Sequence, residues 1–289
     1  MVWVLLLGGL LLLAGLIYWQ FILAEGTYFG PRIVILLYDW AAGAYERIKQ
    51  FDPGAEQWYL GLPLARALDA IPAPLVLDVG TGTGRLPRAL LFQPRFKGRV
   101  VGLDLSRRML EEGVSKLAPY AGRVTLFWQD AQELPFLDDT FDAVTCLEML
   151  EFTPDPEAIL EELVRVLRPG GVLLTTNRVG PDAPFLPGRA FSPDAFRVIL
   201  QRLPLEEIRT QTWQVDYALI WAVKAGEPAG GGVRPLPEIM RCPACGHTPL
   251  PMRQGAYRCT GCGRTYPMAE DGVIEMTPSV RRPPDDTDG

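Results

Sequence analysis

Four cysteines form two pairs, Cys242-Pro243-Ala244-Cys245 and Cys259-Thr260-Gly261-Cys262, each spaced C-x-x-C with thirteen residues between the pairs. Two such knuckles aim four thiolates at one tetrahedral ion, and zinc is the metal this ligand set and spacing select. Gly246 and Gly263 follow the pairs and permit the tight turns that point both sulfurs inward. Disulfides are the competing chemistry, but they belong to oxidising compartments. A redox C-x-x-C opens a helix in a thioredoxin-like unit, and no such unit surrounds these cysteines.

A second stretch with chemical meaning is Leu77-Asp78-Val79-Gly80-Thr81-Gly82-Thr83-Gly84-Arg85-Leu86, which reads D-x-G-x-G-x-G at the end of a strand-like run. Glycines there let the backbone approach a ligand and aim helix N-terminal N–H groups at it. The dinucleotide pattern G-x-G-x-x-G would need glycine where Arg85 or Pro87 stands. A phosphate-binding loop would need Gly-Lys-Ser/Thr, which is absent. The single histidine, His247, follows the first cysteine knuckle, where four cysteines already complete a metal site. The rest of the chain therefore offers no imidazole base.

These residues need elements to position them. Strand-like apolar runs occupy Leu75–Val79, Val100–Leu103, Val124–Trp128, Phe141–Cys146 and Val172–Thr176, with helical periodicity over Arg107–Leu117 and Pro156–Leu167. That alternation predicts βαβ units and a mostly parallel sheet, closed by two further strands over Glu206–Gln214 and Tyr217–Val223. Earlier, Ile33, Leu36, Leu37, Trp40, Ala41, Ala44 and Ile48 recur at helical spacing. Residues 225–240 form a Gly/Pro-rich linker, 241–276 the cysteine module, and 277–289 a polar tail expected to be disordered.

The chain has 289 residues, 48% hydrophobic and 21% charged, with a net charge of -6. The length suits one α/β domain plus something small, and the acidic balance argues against a protein that coats nucleic acid by charge alone. A mean hydropathy of +0.10 is high for such an acidic chain, and its source is the front. No charge occurs from Val2 to Ala24, and about 22 helical residues at ~1.5 Å each span roughly 33 Å, enough for a bilayer core. Trp3, Tyr18 and Trp19 suit the two interfaces, and residues 1–24 are expected to be a transmembrane anchor. A cleaved signal peptide would want a basic start, a shorter core and a small-residue cleavage site. Arg32, Arg47 and Lys49 follow the segment and nothing basic precedes it, which places the body in the cytoplasm.

Over about Tyr38 to Lys224 the motifs together resemble class I S-adenosylmethionine-dependent methyltransferases, in particular the quinone-biosynthesis and small-molecule branch. The resemblance implies a Rossmann-like seven-stranded sheet, mostly parallel with an antiparallel last strand, over residues 32–224. Asp78, Gly80, Gly82 and Gly84 match the family's first motif, whose loop faces the methionine part of the cofactor. Asp104, followed by Leu105, matches the acid that takes both ribose hydroxyls, a role that suits an acceptor-only carboxylate. Asp130-Ala131 matches the loop that holds adenine. Phe141 to Phe152, with Cys146 and Leu147, is similar to the strand lining the methyl-transfer cleft, although Cys146 by itself reads as core. Leu163 to Asn177 resembles the family's helix, Arg-Pro-Gly-Gly turn and fifth strand, and Tyr38 and Tyr45 match a segment that folds over the cofactor.

The implied reaction is in-line methyl displacement from a sulfonium, for which a protein mainly aligns groups and excludes water. Tyr38, Glu148, Glu151 and Asn177 are the candidates for positioning an acceptor. No N/D-P-P-Y/F sequence follows the fourth strand, which disfavours amine methylation of DNA bases. A lipid-like, quinone-like or other small-molecule acceptor at the membrane is the leading expectation. The cysteine module resembles small zinc ribbons that partner RNA and release-factor methyltransferases, and metal loss is expected to unfold only this module. Arg241, Arg253, Arg258 and Arg264 with no acid from Arg241 to Pro267 leave RNA or protein methylation as an alternative. A non-catalytic cofactor-binding scaffold is the third reading.

Overall fold

The computed structural model describes residues 2–228 and 231–276; the expected tail, 277–289, lies outside them. The central sheet contains β1 (Leu75–Val79), β2 (Arg99–Asp104), β3 (Val124–Trp128), β4 (Phe141–Cys146), β5 (Leu167–Arg178), β6 (Leu205–Trp213) and β7 (Tyr217–Lys224). A small sheet in the order β10-β9-β8 is built from β8 (Met252–Arg253), β9 (Ala256–Arg258) and β10 (Thr265–Pro267). The two-residue β11 (Ile274–Glu275) then joins the main sheet, whose order is β11-β3-β2-β1-β4-β5-β7-β6. Pairing is parallel from β11 to β5, and β7 runs antiparallel between β5 and β6.

Strands β1 and β4 are buried along their whole length, as expected of central parallel strands covered on both faces. Leu75, Leu77 and Val79 enter one apolar cluster and Val76 the other, so the period-two alternation divides the two cores. Flanking helices begin on side-chain caps. Ser106 accepts from the Met109 N–H, Asp155 from Ala158 and Ser192 from Ala195.

The structure departs from the seven-strand expectation in three places. The Arg168-Pro169-Gly170-Gly171 segment is a bulge inside β5 rather than a turn before it. Phe141 pairs with Leu167, but Ala143 already pairs with Val172. The eighth strand, β11, comes from the cysteine module. That module also shares the body's core, since Cys242, Tyr257, Cys259 and Tyr266 belong to the same cluster as Phe127 and Phe136.

At the front, α1 (Val2–Tyr18) continues through a π-helical turn to Leu23, giving a 22-residue, uncharged helix with an 18-residue window of mean hydropathy 2.3, and among the described residues no side chain of α1 is buried. Glu25 and Gly26 take left-handed φ values of +44° and +78°, and the chain turns there into a second helix, α2 (Pro31–Ala41). A Cβ on Gly26 would meet the Ile33 side chain at 2.7 Å, so glycine permits both the turn and the close approach.

Candidate active site and metal centre

A cavity opens at the carboxyl ends of β1, β2 and β4, under α2. This edge is where open α/β sheets bind ligands. The glycine loop forms one wall. The Gly80 and Thr81 N–H groups donate to the Leu103 carbonyl at 2.8 and 3.0 Å, tying the loop across to β2. Gly80, Gly82 and Gly84 have φ of +70°, +53° and +79°, and Cβ atoms on Gly80 or Gly84 would run into Met149 or Leu117.

Asp104 closes β2 and lines the cavity. One carboxylate oxygen accepts from the Gly82 N–H at 2.7 Å and the other from Ser106 at 2.8 Å. Burial pushes its carboxyl up to about 6, against the downward pull of those N–H groups. Asp78 lies behind the loop, accepts from the Thr145 hydroxyl at 2.6 Å, and is likewise pushed up to about 6 by burial. On the far side Leu105, Asp130 and Ala131 line the cavity, and Asp130 receives both the backbone and side-chain N–H groups of Gln132 at 3.0 Å.

Next to Asp130 the structure shows a group that the sequence did not single out. Gln129 lines the cavity, its amide nitrogen donates to the Glu133 carbonyl, and its buried Oε1 has no hydrogen-bond partner among the described residues. An unsatisfied buried acceptor suits a ligand that brings an N–H donor. Asp104 meanwhile offers two anionic oxygens to a diol. Together with the glycine loop, this donor and acceptor set fits a nucleoside carrying an exocyclic amine, as S-adenosylmethionine does.

The remaining candidates divide. Tyr38, Tyr45, Leu147 and Glu148 line the cavity. The Tyr38 hydroxyl donates to Glu25 at 2.9 Å, and its ring packs against Tyr45 and Phe152. Burial raises both phenols, with Glu25 adding to the rise at Tyr38 and Glu148 to that at Tyr45. One Glu148 oxygen receives Arg85 at 2.9 Å and the Trp213 indole N–H at 3.2 Å, while Arg85 also reaches Glu56 at 2.7 Å. Gly84 and Asp78 sit behind the cavity wall, as does Cys146, whose thiol burial raises well above its ordinary value.

Glu151 and Asn177 do not line the cavity. The buried Glu151 accepts from Tyr217 at 2.5 Å, and burial raises its carboxyl. The Asn177 amide binds the Phe191 backbone on both sides, at 2.8 and 3.3 Å. Asp142 accepts from the Leu75 and Gly232 N–H groups and pairs with Arg168.

The sulfurs of Cys242, Cys245, Cys259 and Cys262 all lie within 4.8 Å of one another, with Cys242–Cys262 at 3.7 Å and Cys245–Cys259 at 3.5 Å. Tetrahedral zinc with bonds of ~2.3 Å requires sulfur separations of roughly 3.8 Å, so the cluster fits that ion. Tyr266 contacts the Cys242 sulfur at 2.9 Å, the kind of outer contact that orients a metal ligand. His247 stays outside the cluster and bonds Thr260 at 2.8 Å.

Residues 77–175, which hold the glycine loop, Asp104 and Asp130, match a family model described as a methyltransferase domain. The ubiquinone/menaquinone biosynthesis C-methyltransferase UbiE of Desulfotalea psychrophila is 37% identical over 165 residues, covering 56% of this chain and 63% of that protein. A demethylmenaquinone methyltransferase of Bacillus cereus is 41% identical over 117 residues, covering 40% of this chain and 49% of that protein. The chain thus spans about half to under two thirds of these relatives' length. Among solved structures, the CurJ carbon methyltransferase aligns with a TM-score of 0.51 at 14% identity, over 59% of this chain and 54% of that one. The fold is therefore the Rossmann-like methyltransferase sheet.

Proposed function

We propose that this chain is an S-adenosylmethionine-dependent methyltransferase acting on a lipid-like or quinone-like small molecule at a membrane, with its body on the cytoplasmic side. The observation that carries this reading is one cavity in a methyltransferase sheet that brings together the glycine loop, the Asp104 carboxylate and the unpartnered Gln129 oxygen. Asp104 would hold the ribose hydroxyls, Gln129 and Asp130 the adenine edge, and the Gly80–Gly82 backbone the methionine end. When bound, the cofactor supplies an activated methyl on a sulfonium whose leaving group is a neutral thioether.

The chain's own work is then positioning and exclusion of water. Tyr38, Met149 and Phe152 give the cavity an apolar wall beside the glycine loop. Glu148 is held by Arg85 and Trp213 and keeps one carboxylate oxygen outside those bonds. Its geometry suits orienting or deprotonating an acceptor hydroxyl or an acidic carbon. Tyr38 stays protonated, because burial and Glu25 oppose its ionisation, and its oxygen can accept from an acceptor group. The quinone-like acceptor is supported by the names of the relatives and by the apolar helix at the front. The four cysteines would hold zinc as a closed structural centre.

Titration calorimetry with S-adenosylmethionine tests the cofactor assignment. Asp104→Ala should abolish binding, and unchanged affinity would overturn it. Radiolabelled methyl transfer offered to membrane extract, RNA and protein fractions tests the acceptor. Label should enter the membrane extract. Label confined to RNA or protein would replace the acceptor reading, and bound cofactor with no labelled product would leave a binding scaffold.

A further inference from the structure

The turn between α1 and α2 does not let the body hang freely from the apolar helix. The Trp19 indole donates to the Phe185 carbonyl at 2.8 Å and its ring stacks on Tyr28 at 5.1 Å. Phe21 contacts Phe29 with ring centroids 5.7 Å apart. The Tyr28 hydroxyl donates to the Pro187 carbonyl, and the buried Thr27 hydroxyl to the Glu151 carbonyl. If Val2–Leu23 spans a bilayer, Trp19 and Phe21 lie at its edge, and these contacts hold Phe29 and Phe185 at the same level.

From Phe29 the chain enters α2, whose two faces differ. Pro31, Val34, Ile35 and Tyr38, at helical spacing, line the cavity. Phe29, Leu36 and Trp40 point away from it and are 60%, 59% and 85% exposed, with Arg32 exposed on the same stripe. Phe185, beside the Trp19 contact, is 55% exposed. An apolar stripe with a basic residue, continuous with a spanning helix, has the composition of a segment that lies in the headgroup boundary. An aqueous setting would leave Trp40 almost wholly hydrated.

We propose that the outer stripe of α2 and the preceding Phe29 rests on the bilayer surface, so that the helix roofing the cavity is itself seated in lipid. An apolar acceptor would then pass from the membrane around α2 into the cavity without crossing bulk water. The occupant of this surface is a phospholipid bilayer. The inference rests on the anchor reading above.

The test uses the full-length protein in phosphatidylcholine vesicles with and without acyl-chain bromines. Emission of the parent protein minus that of Trp40→Phe isolates Trp40. Bromolipid should quench that difference signal and aqueous iodide should spare it, consistent with burial of ~5–10 Å into the boundary. Leu36→Glu should weaken the bromolipid quenching while vesicle flotation and calorimetric affinity for S-adenosylmethionine stay unchanged. Iodide quenching of Trp40 in protein that floats with vesicles would overturn the seating and leave the anchor standing. Protection from both quenchers would point to a protein partner and also overturn it. Failure to float would overturn anchor and seating together.

Discussion

Asp104 is held between two opposing demands. Burial favours its protonated form, yet a ribose diol needs both oxygens as acceptors. Its affinity for S-adenosylmethionine should therefore rise as pH climbs through about 6 and level off above, which calorimetry across that window measures. Stability has the opposite sign. A carboxyl raised by folding contributes fully below the ordinary range near 4 and loses that contribution as pH rises through about 6. The difference in thermal midpoint between the ligand-free parent and Asp104→Asn should thus shrink with rising pH, and a flat difference would argue against the raised carboxyl. Asp104 was legible only through the resemblance, in which an acid ending the second strand takes the ribose hydroxyls. Gln129 was not, since an amide beside Asp130 looks like any loop residue until its oxygen is seen buried and unpartnered. Glu151 and Asn177, candidates for positioning an acceptor, lie away from the cavity. Tyr217 and the Phe191 backbone, distant in sequence, take up their polar atoms.

Elements with both a clear period and a cap were readable to within a residue or two. Helix Arg107–Leu117 and strands β1, β3 and β4 have the expected bounds. The Ser106 cap does more than start a helix, because its hydroxyl accepts from Met109 and donates to Asp39 on α2 at 2.6 Å. Ser106→Ala should cost about 1 kcal/mol through loss of the cap, measured by urea denaturation, and should also weaken cofactor binding by releasing α2. Full stability loss with unchanged affinity would show that the Asp39 contact does not hold the roof. The β5 bulge escaped the sequence reading because Arg-Pro-Gly-Gly carries strong turn signals and only strand pairing reveals its continuity. The two-residue β11 has no period to read, and its partner β3 lies far back in the chain.

At the scale of the whole molecule, the cysteine module is joined to the body by more than a linker. Arg107 reaches Asp271 at 2.8 Å and Glu275 at 3.5 Å, and Met276 donates its N–H to the Trp128 carbonyl, next to Gln129. With a core shared through Tyr257, Tyr266, Phe127 and Phe136, metal removal should lower the main calorimetric unfolding transition rather than erase a small separate one. A main transition indifferent to chelation would restore the independent module expected from spacing alone. Compositional boundaries at 225–240 marked where the chain leaves the body, but only tertiary structure shows that it returns. That return orders events during synthesis. Strand β3 has an open edge until β11 is made, and the intervening stretch takes on the order of 10–30 s at ~5–20 residues per second. Throughout that interval the apolar helix is already available to a membrane while the sheet edge stays open to wrong pairing. Strand β11 covers Phe127 and Trp128 of that edge, and truncation before Ile274 should uncover them and leave the chain more prone to aggregate.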